Sequence, residues 1–455
     1  MTMPELNAGD TAWVLIATSL VLLMTPGLAF FYGGMTRAKS TLNMMMMSFI
    51  TIAIVSVLWV LFGYSLAFGD SGSAYIGEFT FNGLTSAVSE LTNNGGVYPI
   101  PLLAFAAFQL MFAVITPALI TGAIADRTKF AAWAVFATLW VTIVYFPVAH
   151  WVFDFGTKDD AGNITGAGWL AALGVEDFAG GTAVHINAGA AALALVIILG
   201  KRVGWRKDPM RPHNIPLVMI GAGLLWFGWF GFNAGSALAA NGTAALALMN
   251  TQVATAAALG GWLLVEKIRD GHPTSLGAAS GAVAGLVAIT PACAFVSPLG
   301  AVAIGVIAGV ICSLAVGLKY RLGYDDSLDV VGVHLVGGIV GCLLIGFLGT
   351  AEVNSVGLDG LLYGGGFTLL GKQAIGVVAV SAYSFIVALI LGFIIDKTIG
   401  FRISRDEELE GIDLGEHLES AYDFEPRGGS SGGGLSAARR SSSGTSTIEA
   451  PEATS

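Results

Sequence analysis

The sequence predicts an all-α polytopic membrane protein, on three observations. Hydrophobic residues make up 55% of the chain and charged residues 11%, against about 25% charged in a soluble domain; so few charges cannot cover a water-facing surface. Eleven apolar stretches come close to or exceed the roughly 20 residues that a helix needs to cross the hydrocarbon. Lys and Arg fall on alternate loops, the pattern that sets membrane orientation. Soluble, disordered, collagenous and disulfide-rich secreted classes are excluded by the same composition. The net charge of −10 argues against a nucleic-acid partner, which calls for a basic patch. Cys293, Cys312 and Cys342 lie in apolar runs, so no disulfide, metal cluster or cofactor is expected.

The stretches are 11–33, 43–68, 99–123, 130–153, 178–200, 214–236, 248–266, 275–295, 299–318, 330–350 and 373–396. The first follows ten residues without Lys or Arg. They lack the basic start of a signal peptide, so 11–33 is read as a retained helix. Arg37 and Lys39 follow it. The second stretch opens on Met44–Met47, read as lipid or packing surface, and ends at the acidic loop 69–98. The third and fourth carry the aromatic segments 104–112 and 149–153 and are separated by Arg127 and Lys129. Interfacial belts explain most such aromatics, and His150, beside them, is read as structural. Loop 154–176 is again acidic, with Asp154, Asp159 and Asp160. It is read as solvated, with a weak pull on cations.

The fifth stretch is followed by Lys201, Arg202, Arg206, Lys207 and Arg211; the seventh by Lys267 and Arg269; the ninth by Lys319 and Arg321; the eleventh by Lys397, Arg402 and Arg405. The other loops hold only Lys158 and Lys372. This places the N-terminus outside and the C-terminus in the cytoplasm. The eighth and ninth stretches are rich in Gly and Ala, which lets helices pack closely in lipid. The chain thus divides into an extracytoplasmic N-terminus, 1–10, a membrane domain, 11–400, a charged tail, 401–425, and a Gly/Ser-rich end, 426–455, expected to be disordered.

Ionisable residues inside membrane spans are functional candidates. His185 lies in the fifth stretch and His334 in the tenth, 149 positions apart, in the similar contexts VHINAG and VHLVGG. One stretch enters from outside and the other from inside. Two inverted five-helix repeats plus an eleventh helix are therefore expected, with the site at their interface. A lone buried histidine is often only a packing residue; two at matching positions favour function. A histidine can be buried neutral and still donate and accept. Asp177, at the start of the fifth stretch, is read as a helix N-cap, with direct ligand contact as the alternative.

These residues carry a family resemblance. Segments 177–185 (DFAGGTAVH), 228–236 (GWFGFNAGS), 290–293 (TPAC) and 329–334 (DVVGVH) resemble the ammonium transporter (Amt/Mep/Rh) family, its bacterial Amt branch most closely, over roughly residues 10–425. The resemblance implies a homotrimer in the plasma membrane. It also implies that His185 and His334 line a hydrophobic pore, that Phe112 and Phe232 close its outer end, and that Phe108 and Trp229 flank it. Phe112, Ser236, Asp177 and an aromatic at position 153 would recruit ammonium or methylammonium. The family usually has Trp where this chain has Phe153, which weakens cation–π capture. Trp151, two residues away, is the other recruitment candidate and could compensate, although i and i+2 do not share a helix face. In the tail, Gly411, Asp413, His417, Glu419, Ala421 and Tyr422 match a regulatory segment that engages PII-type signalling proteins; Leu418 stands where Gly is usual.

The function expected is selective ammonium uptake rather than enzymatic chemistry, since no nucleophile or metal cluster accompanies the histidines. A passive ammonia channel of the Rh type and an ammonium sensor signalling through its tail are the alternatives.

Overall fold

The computed structural model describes residues 5–70, 73–159 and 161–422. Among these residues eleven helices of 15 residues or more follow one another: α1 Ala8–Met35, α2 Ala38–Phe68, α3 Leu102–Ile124, α4 Phe130–Phe153, α5 Gly181–Leu199, α6 Ile215–Gly235, α7 Gly242–Asp270, α8 Ser275–Ile289, α9 Pro298–Leu322, α10 Val331–Leu348 and α11 Thr368–Thr398. Ten are long and apolar enough to cross a membrane. The eighth, expected over 275–295, is only 15 residues long. Pro291 follows, and it brings no N–H to carry the helical ladder on; Thr290–Phe295 form turns instead. The all-α expectation is relaxed by two small antiparallel ribbons, Leu91–Asn93 with Val97–Pro101 and Thr157–Lys158 with Ile164–Thr165.

Packing is dominated by α1 along α6, α7 along both α8 and α9, and α11 along α5. Small residues make these approaches possible. A Cβ at Gly305 of α9 would fall 2.2 Å from the Ala254 carbonyl oxygen of α7. The crossing of α5 and α10 is reciprocal. Gly189 of α5 lies against Leu335 of α10, and Gly338 of α10 lies against Ile186 of α5. Both pairs of counterparts, 189 with 338 and 186 with 335, keep the 149-residue offset of the two histidines.

At the end of the bundle opposite the N-terminus, buried charges knit the loops together. Arg202 binds Asp325 through Nη2 at 2.9 Å and Asp126 through Nη1 at 3.2 Å; Asp126 also meets Arg37. Arg127, wholly buried, reaches the Asp325 carbonyl and the Ser327 hydroxyl, each at 2.6 Å. Burial pulls its guanidinium down to about 10, against the opposing pull of Asp325. The basic loop residues that mark orientation in the sequence are here also the internal glue of that end.

The tail continues with α12, Arg405–Glu410, and lies across this charged end. The Asp413 carboxylate accepts from the backbone N–H groups of Leu42 and Asn43 at 2.9 and 2.8 Å, capping α2. Glu416 accepts from Phe130 N at 3.0 Å and caps α4. His417 meets Asn43 Oδ1 at 3.0 Å and stands edge-on to the Phe130 ring. Gly411 has a φ of +130° against Lys39, where a Cβ would fall 2.8 Å from the lysine Cβ. Lys39 also donates to the Leu409 carbonyl. Leu418 takes the left-handed conformation, φ +55°, that Gly would adopt without strain. The Glu419 side chain is exposed. Compact units divide at Ala421. Tyr422 is the described residue of the second unit, and the Gly/Ser-rich end 426–455 lies outside the described residues.

Candidate functional site

Both histidines sit in local widenings of their helices. Residues Gly181–Ile186 and Val331–Leu335 form π-helical turns, in which the backbone bonds i to i−5; His185 N donates to Gly180 O at 3.1 Å. Such turns are frequent at functional sites. Each turn begins at a buried carboxylate. Asp177 accepts from the backbone N–H groups of Gly180, Gly181, Thr182 and Ala183, and from the Thr182 hydroxyl. Asp326 accepts from Val330 N and Val331 N at 3.1 and 2.7 Å. Asp326 is the residue that the sequence reading missed. Its signal was the same offset, since 177 and 326 are also 149 apart.

The two turns bring the histidines together. Nδ1 of His185 and Nδ1 of His334 are 3.3 Å apart, with ring centroids at 5.4 Å and planes 25° apart. Both rings are buried. Aromatics continue the stack toward the N-terminal end of the bundle. Trp229 lies 5.4 Å from His185 at 20°, and its N–H donates to the Thr290 hydroxyl at 2.8 Å. Phe232 lies 6.1 Å from His185 and stacks on Phe112 at 4.1 Å and 25°. Phe108 stands edge-on to Phe112 at 5.0 Å, and Phe153 does so at 6.4 Å. The Ser236 hydroxyl donates to Phe232 O at 2.8 Å and is half-buried.

Trp151 is not in this group. It packs on Tyr383 and Trp169 and donates from its indole to Tyr75 O at 2.8 Å, because positions 151 and 153 project from different faces of α4. Asp177 reaches the group through the backbone, its oxygens being committed to the start of α5. His185 Nε2 is buried and makes no hydrogen bond to another described residue. A buried polar atom without a partner asks for an explanation.

The sequence profile of the Ammonium Transporter Family matches residues 12–422. The chain belongs to the ammonium transporter family. An ammonium transporter of Mycobacterium bovis is 57% identical over 443 residues, covering 93% of this chain and 92% of its own length. That of Bacillus subtilis is 46% identical, covering 92% and 99%. Among solved structures, Candida albicans Mep2 aligns at 33% identity with a TM-score of 0.79, over 89% of this chain and 88% of its own. A protein titled Sensor Amt Protein aligns at 29% identity with a TM-score of 0.81, over 90% and 98%.

One carboxylate beside the site titrates near neutrality. Glu176, buried ahead of Asp177, accepts from Leu358 N at 2.6 Å through Oε1, while its Oε2 has no hydrogen-bond partner among the described residues. Burial pushes it up to about 7, against the pull of the Leu358 N–H and of Lys372. The folded state therefore favours the neutral acid. Its contribution to stability is complete below the ordinary carboxylate range and is lost as pH rises through about 7. Glu176→Gln keeps the bond to Leu358 and removes the titration. It is expected to stabilise the protein at pH 8 by up to about 3 kcal/mol and to do little at pH 4. Thermal unfolding at both pH values checks this; an unaltered pH dependence in the variant would refute it.

Proposed function

We propose that this protein takes up ammonium selectively across the plasma membrane, by capturing the cation, removing its proton and passing ammonia along the histidine pair, with the proton relayed inward through the same two imidazoles so that net charge crosses. The supporting observation is the unpartnered Nε2 of His185 beside the stacked phenylalanines. A buried, apolar column ends there on polar atoms with bonding capacity to spare. The energetics favour the same order of events. A bare cation entering such a column loses several kcal/mol of solvation or more. Aromatic faces return only about 0.5–2 kcal/mol. Phe112, Phe153 and Ser236 can therefore recruit ammonium but not escort it inward. Losing the proton removes most of the penalty, and the neutral molecule can bond to the two imidazoles. Potassium has no proton to release and is rejected by the column rather than at its entrance.

In this reading Phe112 and Phe232 gate the column, Phe108 and Trp229 flank it, and Asp177 holds the entrance in shape. The N-terminus lies outside and the tail in the cytoplasm, consistent with the Lys and Arg distribution. All eleven helices belong to the membrane domain, arranged as two inverted five-helix repeats plus α11, and the chain assembles as a homotrimer. The tail segment that holds Gly411, Asp413, His417, Glu419 and Tyr422 is regulatory, and a PII-type signalling protein engages it at the cytoplasmic face. Deleting residues 401–455 is then expected to alter regulated uptake, read by shifting cells between ammonium-poor and ammonium-rich medium; an unchanged response would rule this out.

The deciding measurement is ammonium-evoked current from purified protein in liposomes, with potassium as control. Current with ammonium and none with potassium is the expected result. Internal alkalinisation without current would instead establish passage of neutral ammonia, the Rh-type alternative. Silence in both, from an intact oligomer, would point to a sensor.

A further inference from the structure

His150 stands three residues before Phe153 on α4 and is wholly buried. Every atom its ring nitrogens face is an acceptor. Nδ1 lies 3.0 Å from Asp154 Oδ2 and 3.2 Å from the Ala67 carbonyl at the end of α2. Nε2 lies 3.1 Å from the carbonyl of Ser73 in the following loop. A neutral imidazole has one N–H and one lone pair. With the proton on Nδ1, the Nε2 lone pair would confront the Ser73 oxygen. With it on Nε2, the Nδ1 lone pair would confront the carboxylate. All three contacts are satisfied only when the pair carries one further proton as imidazolium with carboxylate; imidazole with carboxylic acid, the same proton placed the other way, satisfies those to Asp154 and Ser73. Either way the pair has no net charge, which is what burial demands.

The pair brackets Phe153. On one side His150 ties α4 to the end of α2 and to the loop at Ser73. On the other, Asp154 Oδ1 accepts from Gly156 N at 2.8 Å, and Asp154 O accepts from Gly168 N at 2.8 Å. The Phe153 carbonyl between them accepts from Asn94 Nδ2 at 2.8 Å. The backbone of Phe153 is thus held from three directions while its ring faces Phe112.

We propose that His150 and Asp154 form a proton-sharing clamp whose task is to position the Phe153 ring over Phe112 for capture of a small organic or inorganic ammonium cation. His150 and Asp154 are positioning residues that act through Phe153; neither touches the cation. The inference rests on the reading of Phe112 and Phe153 as the capture site. A phenyl ring attracts a cation more weakly than an indole, so its placement over Phe112 decides whether the site binds.

The experiment uses the full chain in liposomes, with methylammonium as probe, and the variants His150→Gln and Asp154→Asn. Each is expected to raise the concentration giving half-maximal current about 3- to 10-fold while leaving the maximal current within about twofold, a split that a general packing defect does not produce. Backbone amide exchange over residues 153–156 should accelerate in both. The double variant should add little to either single change, because the two residues act as one unit. Unchanged exchange over 153–156 in a folded variant overturns the clamp, as does a loss of maximal current at unchanged half-saturation. Should His150→Gln not fold, Asp154→Asn carries the test alone, since it keeps an acceptor for Gly156. Absence of current from the unaltered protein would refute transport instead, and exchange over 153–156 would then decide the clamp by itself.

Discussion

Replacing His185 and His334 together by leucine is expected to abolish ammonium-selective current. The two imidazoles are the polar side chains that meet at the end of the aromatic stack, their Nδ1 atoms 3.3 Å apart. Leucines keep that space filled and dry but offer an ammonia molecule nothing to bond. Losing two hydrogen bonds worth about 0.5–1.5 kcal/mol each slows neutral passage roughly 5- to 150-fold. It also removes the groups that could carry a proton, so the electrical signal should vanish altogether. The measurement is ammonium-evoked current in liposomes beside the unaltered protein, with melting temperature as the check on folding. A selective current of ordinary size from the double variant would refute the role given to both histidines.

Asp177→Ala is expected to cost about 3–5 kcal/mol of stability, the range for breaking a buried polar network. The carboxylate accepts from four backbone N–H groups and one hydroxyl at the start of α5. A methyl group leaves all five donors buried without a partner, each at a cost of about 1–3 kcal/mol before relaxation and water entry recover part of it. Asp177→Asn, which retains one acceptor oxygen, should lie between. Thermal unfolding and gel filtration of the three proteins test this. A stable but inactive Asp177→Ala would remove the capping role and return Asp177 to direct contact with the cation.

What was legible in the sequence was what repeats. Apolar runs of membrane length recur, basic loops alternate, and His185 and His334 share an offset, so spans and histidines could be read in advance. The rest depends on partners far apart along the chain. Asp326 lay in a run of three aspartates, Asp325, Asp326 and Asp329, which reads as an ordinary polar loop until two helix N–H groups are seen to point at it. The turn of Trp151 away from Phe112 is set by Tyr75 and Tyr383, neither of which sequence spacing brings near. His150 looked structural from its place beside the interfacial aromatics; Asp154 stands near it in sequence, but its ties to Ala67 and Ser73 are to backbone carbonyls, which leave no trace in composition. The short α8 is the opposite case: Pro291 was visible, but hydropathy carried the expected span past it.

The capping of α2 and α4 by Asp413 and Glu416 also sets an order in time. The groups that finish those two helices lie 371, 370 and 286 positions further along the chain. A ribosome making about 5–20 residues per second thus leaves the starts of α2 and α4 open for tens of seconds after they emerge. Water or an assisting protein must satisfy them until the last part of the chain arrives. Docking of the tail thereby follows synthesis of the whole membrane domain, and a chain arrested before residue 413 would carry two open helix ends as a visible mark that it is unfinished.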